Sequence, residues 1–172
     1  GDKRFAATFF QDGEILTVGG KDLVYSGEMA SAYGPTPHDV KKGNLYYGDV
    51  RQIGINTIVM RYAEVILFRA EALNELGRTS EAIPLLIRDR AGLETKASYS
   101  QDEMRKAIRH ERRVEFAFED IRGWDIIRWG IQDEVMSGIP GSKWVKGKCE
   151  LWPLPAFVLD ENPNIKENNP GW

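Results

Sequence analysis

The sequence predicts a mainly α protein with long loops and a short N-terminal β-hairpin. Three observations carry that expectation. Apolar residues recur at helical spacing through most of residues 56–130. Ser100-x-x-Glu103 writes a capping box in front of one of these runs. Near the start, Asp12-Gly13 divides two short apolar runs, and this dipeptide supplies the positive φ of a tight hairpin turn. A chain of 172 residues can bury a core as one domain. Residues 1–172 read as such a domain in three parts: a hairpin and long loop region (1–55), a helical core (56–130), and a loop with a docked C-terminal tail (131–172).

Taken in order, "FAATFFQDGEILTV" reads as the two strands of the hairpin. "GGKDLVYSGEMASAYGPTPHDVKKGNLYYGDVRQIG" follows with seven glycines, two prolines and four tyrosines but no sustained period. A structureless stretch of that length implies a binding role or a packing partner elsewhere. "NTIVMRYAEVILFRAEALNELG" spreads Ile58, Tyr62, Val65, Ile66, Leu67, Leu73 and Leu76 around most of a helix, which predicts a largely buried one. Gly77 stops it, Thr79 or Ser80 caps the next helix, "EAIPLLIRDRAG", and Pro84 falls near that helix's first turn. Ala72, Gly77, Ala82 and the short turn between them resemble the helix pair of a tetratricopeptide repeat, so the scaffold is expected to be tetratricopeptide-like. The capping box opens a third helix through "MRKAIRHERRVEFAFED", with Tyr99 and Met104 as its hydrophobic staple. "GWDIIRWG" reads as a short helix stopped by Gly130, with Trp124 and Trp129 in the core.

Bulk properties exclude several function classes. A formal charge of −3 lacks the clustered basic excess that phosphate backbones require, so no nucleic-acid partner is expected. The single cysteine, Cys149, permits no intrachain disulfide and no cysteine-based metal knuckle. "HERRV" begins like the zinc motif H-E-x-x-H, but Val114 stands where the second ligand belongs. His38 and His110, the only histidines, read as surface or capping residues, and Cys149 as an inert thiol. No glycine pattern cradles a phosphate, and no cofactor or metal is expected. The chain opens on "GDKRFAATFF" without an initiator methionine and reads as a piece of a longer protein.

The third helix places Met104, Ala107, Ile108, Val114 and Phe118 on one stripe, with Glu111 and Glu115 in its middle. If the helix continues, Arg122 comes round to the same direction, three residues after Glu119. Lone buried carboxylates are costly, so these require bases beside them. Two readings compete. A glycosidase needs acids flanking the sugar roughly 5–9.5 Å apart, whereas residues at i and i+4 project from one wall. The favoured reading is a structural ion network of Glu111, Glu115, Glu119 and Arg122, with Arg61, Arg69 or Arg90 contributed by neighbouring helices.

Four motifs in order resemble the C-terminal part of the SusD/RagB family. "MRYAEVILFRAEALNELG" is similar to the family's R-x-A-E-x-x-L-x-x-A-E-A helix, and "IRDRAGL" to its V-R-x-R-A-G step. "IRHERRVEFAFEDIRGWDIIRWG" resembles its I-x-x-E-R-R-x-E-L-x-x-E-G-x-R-x-x-D-L-x-R segment. "LWPLPAFVLDENPNIKENNPGW" resembles its closing L-x-P-I-P…N-P-x-L-x-Q-N-P-G-Y. "DKRFAATFFQDG" adds a likeness to the family's D-P-R-x-x-x-T segment. Asp120 departs from the pattern, standing where the family usually has glycine, and Trp172 replaces a terminal tyrosine.

That resemblance implies a binding protein and not an enzyme. Family members are surface-exposed lipoproteins of the cell outer membrane, anchored through an N-terminal lipobox cysteine. They bind oligosaccharides or polysaccharides and work with a TonB-dependent transporter of the SusC type. Sugar sites want aromatic plates edged by Asn, Asp, Gln or Arg. Tyr33, Tyr46 and Tyr47, with Asn44 and Asp49 nearby, suit that chemistry, as does Trp144 in "GSKWVKGK". The alternative for the whole chain is a helical-repeat module that binds only other proteins. The Asn-Pro turns of "ENPNIKENNPGW" predict a docked tail, with Trp172 or Ile165 substantially buried.

Overall fold

The computed structural model describes residues 1–18, 21–27, 38–43 and 58–172. These residues form two compact units, Gly1–Glu119 and Asp120–Trp172. The boundaries do not coincide with the three parts read from the sequence, because the N-terminal segment and the helices to residue 119 share the first unit.

The first unit opens with helix α1 (Lys3–Thr8), where a strand was expected. Asp2 overrides the local apolar pattern by capping the helix: its carboxylate accepts from the Arg4 amide at 2.9 Å. The hairpin exists one step further on. Strands β1 (Ile15–Val18) and β2 (Lys21–Val24) pair antiparallel, with Ile15 opposite Val24. Asp12-Gly13 makes a turn before the hairpin and not its tip, and Gly13 takes φ +81°. Phe10 and Tyr25 form a small buried cluster beneath it with Leu16.

Helix α2 (Tyr62–Glu75) starts six residues later than the apolar run. It buries one face, through Glu64, Leu67, Ala70, Leu73 and Asn74. Ile58, Tyr62, Val65 and Leu76, expected inside, are exposed. Helix α2 packs on α3 (Thr79–Ala82) and α4 (Gln101–Glu115), which cover that one face. Gly77 ends α2 with φ +75°, and the Arg78 amide donates back to the Leu73 carbonyl at 2.8 Å. The second helix is broken. Its α-turn gives way at Pro84, which has no N–H to donate, to a 3₁₀ turn over Ile83–Leu85 and another over Asp89–Ala91. Thr79 caps nothing; its hydroxyl donates to Asn74 Oδ1 at 2.8 Å. Asn74, fully buried, also donates to the Gln101 carbonyl at 3.0 Å, joining α2, α3 and α4 through one amide.

The capping box of α4 is complete: the Glu103 amide donates to Ser100 Oγ, and Glu103 Oε2 accepts from the Ser100 amide at 2.8 Å. Asp102 and Glu103 in the first turn, and Arg112 and Arg113 in the last, complement the helix dipole. The helix ends at Glu115, earlier than its pattern implied. Phe116 turns inward and is buried, while Phe118, expected in the core stripe, is exposed at φ +61°. Asp120 follows at φ +59°. The left-handed conformation that glycine adopts freely is thus retained by an aspartate, one of the few side chains that tolerate it.

The second unit carries α5 (Arg122–Arg128), α6 (Gln132–Ser137) and α7 (Ala156–Glu161), joined by long turns. Gly130 stops α5 with φ +65°, and the Ile131 amide donates to the Ile126 carbonyl at 3.0 Å. Asp125 and Ile126 are buried, and Arg128 Nε donates to Asp125 at 3.0 Å. Trp124, expected in the core, is 73% exposed, and Trp129 is half-buried under the Arg128 guanidinium. No helix among the described residues is long and apolar enough to cross a membrane.

Candidate functional site

Two places concentrate chemistry, one in each unit. In the first, the acids of α4 meet bases brought from four segments. Arg4 on α1 donates one nitrogen, Nη1, to Glu111 at 2.7 Å and to Glu115 at 3.3 Å, while its other nitrogens hold Asp2. Arg61 reaches Glu115 at 2.6 Å and forks onto both oxygens of Glu119 at 2.7 and 3.0 Å. Arg90 pairs with Glu115, and Lys42 with Glu119. Arg88 stands 3.8 Å from Glu111. The three carboxylate side chains are almost wholly buried. Burial pushes the Glu115 carboxyl up, but hydrogen bonds and charge from Arg61 and Arg90 more than offset it and leave it below the usual carboxylate range. Glu119 shows the same balance, with Arg61 and Lys42 as the offsetting partners.

Arg112 was missed by periodicity. It is 1% exposed, pairs with Glu64 at 3.3 Å, and lies against the rings of Phe68 and Phe116 at 4.5 and 5.0 Å. Arg4 also escaped notice as a partner of the acids, although the D-x-R spacing at Asp2 and Arg4 was the available signal. Arg69 forms no ion pair with these carboxylates. Arg122, grouped with them on the assumption of a continuous helix, begins α5 in the second unit, because α4 stops at Glu115.

In the second unit, residues 136–152 and the tail wall an open hollow of about 460 Å³. Trp144, Trp152 and Trp172 line it with Met136, Ile139 and Leu151. Each indole is held differently. Trp144 is half-buried, and its Nε1 donates to Asp133 at 3.1 Å. Trp172 Nε1 donates to the Lys148 and Leu151 carbonyls, both at 3.1 Å, with Lys148 Nζ 4.3 Å from the ring centre. Trp152 is 88% exposed.

The tail that supplies Trp172 is held to residues 148–154 by side-chain hydrogen bonds. Asn168 pairs with both backbone groups of Leu154, at 2.7 and 3.2 Å, and Asn169 donates to the Trp152 carbonyl at 2.5 Å. Trp172 itself stays half exposed and Ile165 only half-buried, so the expected deep burial is corrected. Asparagine side chains hold the tail through backbone hydrogen bonds, which leaves the indole free to form a wall. Gly171, at φ +83°, lets the chain pass so close to Lys148 that an added Cβ would lie 2.8 Å from its Cβ.

Of the predicted sugar-contact residues, Trp144 lies in this hollow. Tyr33, Asn44, Tyr46, Tyr47 and Asp49 lie outside the described residues. Trp152 and Trp172 were not anticipated as partners of Trp144. The signal was present in "LWPLP" and the terminal "PGW", which were read as a closing motif and a docked tail. Cys149 lines the hollow, half-buried, with its Sγ accepting from the Val145 amide at 3.3 Å. No cluster of three metal-ligating side chains occurs among the described residues.

The sequence pattern of the SusD family matches residues 1–146. SusD-like protein P2 of Formosa agariphila is 39% identical over 136 residues, which is 71% of this chain and 27% of that protein. The chain therefore spans about a quarter of the length of the curated relatives it matches. A SusD-like protein from Bacteroides fragilis superposes with a TM-score of 0.76 at 26% identity, over 99% of this chain and 39% of that one. A SusD-like carbohydrate binding protein from the same species gives a TM-score of 0.58 at 30% identity, over 83% of this chain and 32% of its own.

Proposed function

The chain belongs to the SusD family, and from that premise we propose that it is part of a non-catalytic binding protein for oligosaccharides or polysaccharides in a nutrient-uptake system. The observation that carries the proposal is the hollow walled by Trp144, Trp152 and Trp172. Indole faces left open to solvent are costly surface for a protein to keep, and they are the complement of a sugar's C–H face. Within this reading the full-length protein is held at the outer membrane by a lipid anchor and passes its glycan to a TonB-dependent transporter of the SusC type. A carbohydrate-binding relative from Bacteroides fragilis supports the ligand class.

The acids of α4 belong to the scaffold in this proposal. A glycosidase needs space between its carboxylates for the scissile bond. Here one guanidinium nitrogen of Arg4 stands between Glu111 and Glu115 and bonds to both. Glu115 and Glu119 are held ionised, which suits an ion pair and not a general acid.

Affinity electrophoresis of the full-length protein through gels containing a panel of polysaccharides tests the reading. At least one glycan retards it, and Trp144→Ala loses most of that retardation while migrating normally without glycan. Unchanged mobility in every gel would sink the proposal, and reducing-sugar release would overturn its non-catalytic part.

A further inference from the structure

The wall of the hollow carries a lysine as well as its aromatic rings. Residues 141–149 read "GSKWVKGKC", with three lysines and no carboxylate, in a chain of formal charge −3. Lys143 is the one charged side chain among the residues lining the hollow, and it is solvent-exposed. No carboxylate among the described residues pairs with it. Lys148 stands over the face of Trp172, and Lys146 lies 3.5 Å from Asp133. Of the acids nearby, Asp133 accepts from Trp144, and Glu150 accepts from the Gly147 amide at 2.9 Å through one oxygen while its other oxygen is buried without a hydrogen-bond partner.

Neutral hydrogen-bonding groups are scarce by the same count. The indole N–H groups of Trp144 and Trp172 point at protein acceptors. Ser142 Oγ accepts from the Trp144 amide at 3.2 Å. What the hollow offers a ligand is therefore indole faces and one exposed lysine among its lining residues. A neutral, densely hydroxylated sugar would lose water from its hydroxyls there with few groups to replace it. A pyranose with one apolar C–H face and an anionic substituent places the face on the rings and the charge on Lys143.

We propose that this hollow takes an acidic glycan, one whose sugars carry carboxylates or sulfate esters. The proposal rests on the glycan-binding reading above and narrows it. A volume of about 460 Å³ falls in the ordinary range for small-ligand sites, so a short stretch of the polymer occupies it at a time.

Calorimetric titration of the full-length protein with paired oligosaccharides tests this. One pair is a uronate oligomer and its carboxyl-reduced form; the other is a sulfated oligomer and its desulfated form. The charged member of at least one pair binds tenfold or more tighter at low salt, and the pair that shows it identifies the anion. That advantage shrinks in about 1 M NaCl, where charges are screened beyond roughly 3 Å. Lys143→Gln removes most of the advantage, whereas Trp144→Ala weakens both members. Equal affinity for charged and neutral members, or an advantage that survives Lys143→Gln, overturns the acidic class while leaving glycan binding intact. If no glycan binds and Trp144 and Trp152 resist N-bromosuccinimide in the unliganded protein, protein chain fills the hollow and both readings fail.

Discussion

The acids of the first unit and the tryptophans of the second are opposite ways of spending costly residues. Around α4, Glu111, Glu115 and Glu119 are each matched to a guanidinium or ammonium and shut away from water. Around the hollow, the polar edges of two indoles are satisfied by the protein while ring surface stays open. The residues most suggestive of catalysis in the sequence are thus held in ion pairs, while Trp144, Trp152 and Trp172 line an open hollow. Ion pairing, more than residue type, separates architecture from a binding surface here.

The hardest way to break that contrast is to unpair the acids. Glu115→Gln leaves Arg4, Arg61 and Arg90 facing a neutral amide, and removing one partner of a buried ion pair costs about 3–5 kcal/mol. Urea unfolding should register the loss, with glycan affinity unchanged for the fraction still folded; a stability change under 1 kcal/mol would show that the network contributes little.

Acid provides a second route to the same result. Glu115 and Glu119 titrate below their unfolded value, which is about 4.3. Their contribution is therefore fully present above that pH and is lost as pH falls through the depressed folded values. Unfolding midpoints should be level from about pH 7 to 5 and decline below about 4, with a shallower decline in Glu115→Gln. An identical acid limb in that variant would assign acid sensitivity to other groups.

A smaller effect is expected at the left-handed turn. Asp120→Gly relieves a side chain held at φ +59° and should raise stability by up to about 1 kcal/mol in thermal unfolding. A loss would mean that the aspartate side chain makes up for its strained backbone. The smallest stability effect belongs to the hollow: Trp152→Ala, at an 88% exposed position, should change stability by less than about 0.5 kcal/mol. The same variant should bind glycan more weakly. Normal binding with impaired folding would reverse the roles given to the two regions.

Much of the fold was legible because its signals are local. The capping box at Ser100, the stops at Gly77 and Gly130, and the Asn-Pro tail all act within a few residues of where they are written. The carboxylates on the apolar stripe of α4 announced that bases must come to them, and of the named partners Arg61 and Arg90 arrive. Arg4 could not be reached by periodicity, because it lies 107 positions before Glu111. The helical phase that grouped Arg122 with the acids does not hold, because the turn at Phe118 and Asp120 ends it. Trp124 followed the pattern of its helix, yet the described residues of its unit leave it in water.

By itself the sequence determined the family, the helical class and the places where helices start and stop, since capping, chain stiffness and apolar period are short-range properties. Tertiary structure decided which acids met which bases, and which tryptophans became a wall. Trp144, Trp152 and Trp172 share no local period. They come together because Asn168 and Asn169 hydrogen-bond to the backbone of Trp152 and Leu154 and carry the last tryptophan back to the loop.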